Sequence, residues 1–178
     1  GDGAFGILRR YYSANMKRQL LQLAFIFFTP AMVMAQVTDS NFPALPVIPP
    51  GTFNITNYGA VGDGVTTNTA AIQATVNAAL SAGGGTVEVP VGTFLSGPFV
   101  LGSNLRFKLD AGATLLMLPY GSYPGGDDPP DFISANKVHD LELCGPGVLN
   151  GQGAPWWAAG LNESHRPYAV HLDNCQRV

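Results

Sequence analysis

Charge is scarce in this chain: only 12% of its 178 residues are Asp, Glu, Lys or Arg. Basic residues are scarcer still once the leader is set aside, because from Gln36 onward five of them face eleven acidic ones, a net charge of −6. Nucleic-acid binding needs Lys and Arg clustered against phosphate, so that class is excluded. A polyanionic ligand would need positive groups gathered at its own site. Cysteine is limited to Cys144 and Cys175. Two thiols are too few for a disulfide framework, and no Cys or His pair stands at zinc-ligand spacing, so no metal is expected. In an oxidising compartment the two could pair; the simpler expectation is two buried small apolar side chains. No uninterrupted apolar run reaches the roughly twenty residues of a membrane-spanning helix. There is no Gly-Lys-Ser/Thr anywhere, and Gly145-Pro146-Gly147-Val148-Leu149-Asn150 precedes no helical period. Both phosphate-cradling fingerprints are therefore absent, and no cofactor is expected.

Glycine (22 residues), proline (14) and apolar side chains (46%) are plentiful instead, which suits short strands joined by tight turns. Met16-Lys17-Arg18 starts a basic segment, Leu20 to Ala35 is almost wholly apolar although Pro30 interrupts it, and Val33-Met34-Ala35 closes it with small residues at alternate positions. That order reads as a secretory signal peptide over 16–35, which predicts a secreted protein with no stable membrane association. Residues 1–15 precede Met16 and read as an upstream extension. Residues 36–50 form a proline-rich lead-in to a domain that begins at Gly51.

Phe53 and Ile55 alternate with polar residues as in a short strand, and Gly59, Gly62 and Gly64 then predict a tight loop. From Thr69 to Ala82 the period changes: Ile72, Val76, Ala79 and Leu80 share one helical face, Asn68 stands ready as N-cap, and Gly83 stops the helix. Beyond it the period is two. Val87 and Val89 flank Glu88; Leu105, Phe107 and Leu109 flank Arg106 and Lys108; Leu141 and Leu143 flank Glu142. SNLRFKLDAG (103–112) resembles NKVHDLELCG (136–145), and NCQRV (174–178) resembles ANKV (135–138). Strand repeats at such offsets, with no helix between, predict a β-solenoid with excursions at 117–132 and 151–167.

Residues 57–116 resemble the amino-terminal head of glycoside hydrolase family 28, the polygalacturonase-like proteins. Tyr58-Gly59-Ala60, Gly62-Asp63-Gly64, Thr69, Ala71-Ile72-Gln73, Val87, Val89-Pro90 and Gly92 match the head's pattern, with Asn68 where that pattern has Asp. Gly145-Pro146-Gly147-Val148-Leu149-Asn150-Gly151-Gln152-Gly153, Trp156-Trp157, Arg166-Pro167 and Asn174-Cys175 resemble the family's next segment, Asn150 again replacing Asp. The resemblance implies an all-β fold, a right-handed parallel β-helix with an amino-terminal capping α-helix, and a full-length monomer that cleaves galacturonide links of pectin or a related uronide by inverting hydrolysis.

Inversion needs carboxyls roughly 6.5 to 9.5 Å apart, one protonating the leaving oxygen and the other activating water. The family carries them in N-T-D and D-D motifs, with G-H-G and R-I-K, all expected downstream of Val178, so no catalytic residue is assigned here and an inactive fragment is expected. Asp127-Asp128 sits before two prolines in an excursion, Arg106 and Lys108 point outward from a half-buried strand, and His139, His165 and His171 lack motif partners. Trp156-Trp157 reads as a hydrophobic plug, with a sugar platform as the alternative. Asn54-Ile55-Thr56 and Asn162-Glu163-Ser164 are sequons relevant to a eukaryotic host. Calcium-dependent β-elimination of the pectate-lyase type and non-catalytic glycan binding of the tailspike type stand as alternatives on the same fold.

Overall fold

The computed structural model describes residues 44–160 and 166–178. The leader, residues 1–15, His165 and the sequon at Asn162 lie outside the described residues. Among the described residues eleven short strands form three parallel sheets. The first stacks β1 (Thr52–Asn54), β3 (Gly85–Val89), β6 (Leu105–Leu109) and β9 (Leu141–Cys144). The second stacks β2 (Asp63–Thr67), β4 (Gly92–Ser96), β7 (Ala113–Met117) and β10 (Val148–Asn150). The third stacks β5 (Phe99–Val100), β8 (Ile133–Asn136) and β11 (Val170–Asp173). The chain visits the sheets in that cyclic order, one strand on each per turn. The result is a three-walled, right-handed parallel β-helix, the hand that crossover sterics favour.

Period two explains the walls. Val87 pairs with Phe107 and Phe107 with Leu143, while Gly85, Leu105 and Leu141 form the neighbouring column. Odd positions turn inward, where Val87, Val89, Leu105, Phe107 and Leu141 are fully buried. Phe94 and Leu115 continue the core under the second sheet, and Phe99 and Ile133 under the third. The Phe99 ring lies 5.3 Å from Phe107 and 5.8 Å from Phe132. Each such side chain contributes about 1.5–3 kcal/mol by leaving water.

The first coil has no third strand; α1 (Thr69–Ser81) takes its place and packs against β1, β3 and β5. Ile72, Val76 and Ala79 are buried as predicted, but Thr75 joins them and Leu80 stays partly exposed over Gly102. Two expectations are corrected here. Asn68 does not cap α1 with its side chain: its Oδ1 accepts from Val61 N (2.7 Å), and its Nδ2 donates to the carbonyls of Val61, Thr66 and Leu95. Buried, it ties the preceding loop and residues 63–67 to β4. The second concerns residues 63–67, expected as loop. They form β2, with Asp63 Oδ1 accepting from Val65 N and Thr66 N and shifting the register against β4.

The repeat alignment also shifts. Leu105 pairs with Leu141, not with Val138, because the chain takes six residues from Phe99 to Leu105 but eight from its partner Ile133 to Leu141. Cys144 and Cys175 are free thiols and only half-buried. Cys144 shares the parity of Glu142, the outward side of β9, which is why it is not the core residue that composition predicts. Burial first, and then Glu142, raise its thiol pKa.

Corner lengths decide where the site lies. Beyond the first coil, where residues 55–62 join the two sheets through a 3-10 turn, the turns from first to second sheet are short (90–91, 110–112, 145–147), and those from third to first little longer. The passage from second to third sheet grows from 97–98 to 118–132 and then 151–169. Among the described residues the two long excursions both leave from that corner.

Candidate functional site

The two excursions pack on each other. The second leaves β10 through Asn150, whose Oδ1 accepts from Gln152 N (3.0 Å), and Gln152 adopts a left-handed φ of +47°. Its carboxamide donates to the Met117 carbonyl and so fastens the excursion to β7. A six-residue helix, α2 (Gly153–Ala158), follows. The sequence reading missed it, since it is too short to show a helical period and has no side-chain cap.

The tryptophan pair divides on this helix. Trp156 is 4% exposed and sits edge-on to Tyr120 (5.3 Å) and Tyr123 (5.6 Å), which belong to the first excursion. Trp157 is 69% exposed, and the Arg166 guanidinium carbon lies 3.9 Å from its ring centroid. The plug reading therefore holds for one ring only. Tyr123 donates to the Pro130 carbonyl (2.9 Å), and burial together with the Asp131 charge pushes its phenol pKa up. Trp156 Nε1 is buried with no hydrogen-bond partner among the described residues, a condition that costs about 1–3 kcal/mol.

Asp131 is the residue that sequence reasoning passed over. One oxygen accepts from Tyr168 N (2.9 Å) and the other meets His171 Nδ1, so the end of the first excursion holds the return of the second. Tyr168 is 67% exposed and contacts the His171 ring edge-on at 5.6 Å. These elements enclose an open cavity of about 460 Å³ whose wall includes Met117, Trp156, Trp157, Arg166 and Tyr168. That volume suits a small ligand, and the wall combines apolar surface, exposed aromatic rings and a cation.

The other residues singled out by sequence lie elsewhere. Asp127 and Asp128 stand in the first excursion and do not line the cavity. Arg106 pairs with Glu142 (2.8 Å), and Lys108 with Asp110 (2.7 Å) and Glu88 (3.2 Å), on the outer face of the first sheet, as alternation predicts. Asp110 and then Glu88 raise the Lys108 pKa. His139 meets Asp140 at the corner between third and first sheets. Asp140 also accepts from Arg177 (2.7 and 2.6 Å) and from Val47 N (3.0 Å), which ties the lead-in to the last coil and holds the Asp140 carboxyl well below the usual range. Among the described residues no group of three or more His, Cys, Asp or Glu is placed to hold a metal ion.

Residues 52–108 match the family model "Rhamnogalacturonase A/epimerase, pectate lyase-like". The chain is 37% identical over 116 residues to an exo-poly-alpha-D-galacturonosidase of Dickeya chrysanthemi, covering 63% of this chain and 18% of that protein. It is 32% identical over 141 residues to a probable polygalacturonase of Vitis vinifera, covering 67% of this chain and 29% of that protein. A shorter stretch of 42 residues is 55% identical to mannuronan C5-epimerase AlgE5 of Azotobacter vinelandii, 24% of this chain and 4% of that protein. Among solved structures, a hyperthermoactive exopolygalacturonase from Thermotoga maritima superposes with a TM-score of 0.59 at 26% identity, covering 72% of this chain and 32% of that one. The fold is thus that of the pectate-lyase-like right-handed β-helices. Within that class the chain is a glycoside hydrolase family 28-like amino-terminal portion, and it spans less than a third of the length of these relatives.

Proposed function

We propose that the chain supplies the amino-terminal coils of a secreted glycoside hydrolase that cleaves galacturonide links of pectin with inversion. The observation carrying this reading is the similarity, at 37% and 32% identity, to an exo-poly-alpha-D-galacturonosidase and a probable polygalacturonase over 63% and 67% of this chain, more than the head at 52–108 alone. In this reading the coils supply a rigid wall, and no pair of described carboxylates is assigned as acid and base. The protein as produced from its gene is expected to release reducing ends from polygalacturonate. Formation of an unsaturated, ultraviolet-absorbing product instead would replace hydrolysis by β-elimination.

The short match to a mannuronan epimerase supports a second reading, inversion at C5 of a uronide without chain cleavage. Proton NMR of mannuronan and polygalacturonate after incubation separates the two, since epimerisation changes ring configuration at constant chain length.

A further inference from the structure

We propose that Trp157, Arg166 and Tyr168 form a subsite for one uronate residue of an acidic polysaccharide. The sugar's C–H face rests on the exposed rings, and its carboxylate meets the edge of the Arg166 guanidinium. The inference deepens the uronide reading above and rests on it.

Three observations converge. Both rings are exposed yet fixed: Trp157 rides on α2, which Trp156 and Gln152 fasten to the wall, and Tyr168 is held through its backbone by Asp131 and by its carbonyl accepting from Phe132 N (2.9 Å). Rings held in place ahead of binding lose little freedom when a sugar docks. The guanidinium lies over the indole, its carbon 3.9 Å from the ring centroid, a cation–π contact. Its five in-plane N–H donors can serve a carboxylate in addition to the protein groups Arg166 already contacts. Finally, the cavity of about 460 Å³ has apolar walls in Met117 and Trp156, and Arg166 is the Lys or Arg residue lining it, while Arg106, Lys108, Lys137 and Arg177 lie away from it. A small inorganic anion has no use for two exposed rings. An acidic sugar uses rings and cation together.

The test titrates the full 178-residue chain with trigalacturonate, its carboxyl-reduced neutral analogue and trimannuronate, followed by calorimetry and tryptophan fluorescence. Saturable trigalacturonate binding is expected, weakened roughly tenfold by Trp157→Ala and by Arg166→Gln, partly retained by Trp157→Phe, and weak for the neutral analogue. Circular dichroism of each variant should match the parent, since Trp157 contributes little to the core. Unchanged affinity in both variants, equal affinity for the neutral analogue, or no binding of any of the three by the folded chain overturns the subsite. Preferential trimannuronate binding with the same variant losses keeps the subsite and defeats the pectin reading. Sugar release from polygalacturonate by the protein as produced from its gene, with variant-insensitive binding, does the reverse.

Discussion

Gly145 and Gly151 belong to one motif and should respond to alanine in opposite ways. Gly145 has φ +103°, and a Cβ there would overlap the Leu109 carbonyl of the preceding rung. Left-handed backbone alone costs an alanine about 1–2 kcal/mol, and the overlap adds to it, so Gly145→Ala should lower the urea-denaturation free energy by about 2 kcal/mol or more. Gly151 has open space around its Cβ position, and Gly151→Ala should stay within about 0.5 kcal/mol. The sequence shows both as glycines of a turn; which of them faces a neighbouring rung depends on a contact with residue 109 that no local pattern carries. Asp140 has a pH signature of its own. Its folded carboxyl lies below the ordinary value of about 3.8, chiefly through Arg177 and then Val47 N and His139, so its stabilisation is complete above that value and is lost as pH falls through the lower folded one. Asp63, lowered to about 2 by the Thr66 hydroxyl and the amides of Thr66 and Val65, acts in the same direction. Asp140→Asn should therefore lower the melting temperature at pH 7, with the gap to the parent closing as the pH drops below about 4.

At the scale of elements, strands and α1 were legible because their periods are long enough to count. Leu105, Phe107 and Leu109 alternate with two cations whose outward direction the ion pairs bear out. Phe107 carries the prediction here: fully buried and stacked near Phe99, it should cost about 3–5 kcal/mol when replaced by alanine, read as a shift of the denaturation midpoint at constant m-value. Asn68 shows where a local rule gave the right place and the wrong partner. Its position is that of an N-cap, but its amide spans three carbonyls, one each of the loop, of β2 and of β4. Asn68→Ala should cost about 1–3 kcal/mol by leaving Val61 N and those carbonyls without it, more than a lost cap on an exposed helix. The six-residue α2 and the Asp131 contacts were not legible, because both depend on one excursion finding the other across 30 to 40 residues.

On the scale of the whole molecule, the columns that stack rung on rung stop being covered at β9, β10 and β11. Among the described residues no further strand pairs with their outer edges, and Val148, Leu149 and Val170 are exposed there. Parallel edges of this kind pair with other chains unless charged or covered. A preparation of the 178-residue chain should therefore show concentration-dependent self-association in sedimentation velocity, and Leu149→Lys should suppress it while leaving the far-ultraviolet spectrum unchanged. The solenoid itself could be anticipated from the alternation and the approximate repeat, but the pitch could not. Successive rungs are 20 residues apart between Gly85 and Leu105 and 36 between Leu105 and Leu141, and no single period covers both.

That inequality has a use. Most of the added length goes into the passage between second and third walls, and Phe99 still meets Ile133 as Ile133 meets Val170. Segments inserted or exchanged within 118–132 can thus grow, shrink or acquire new chemistry while every rung keeps its seat, which makes this one corner a natural place to graft a foreign recognition loop.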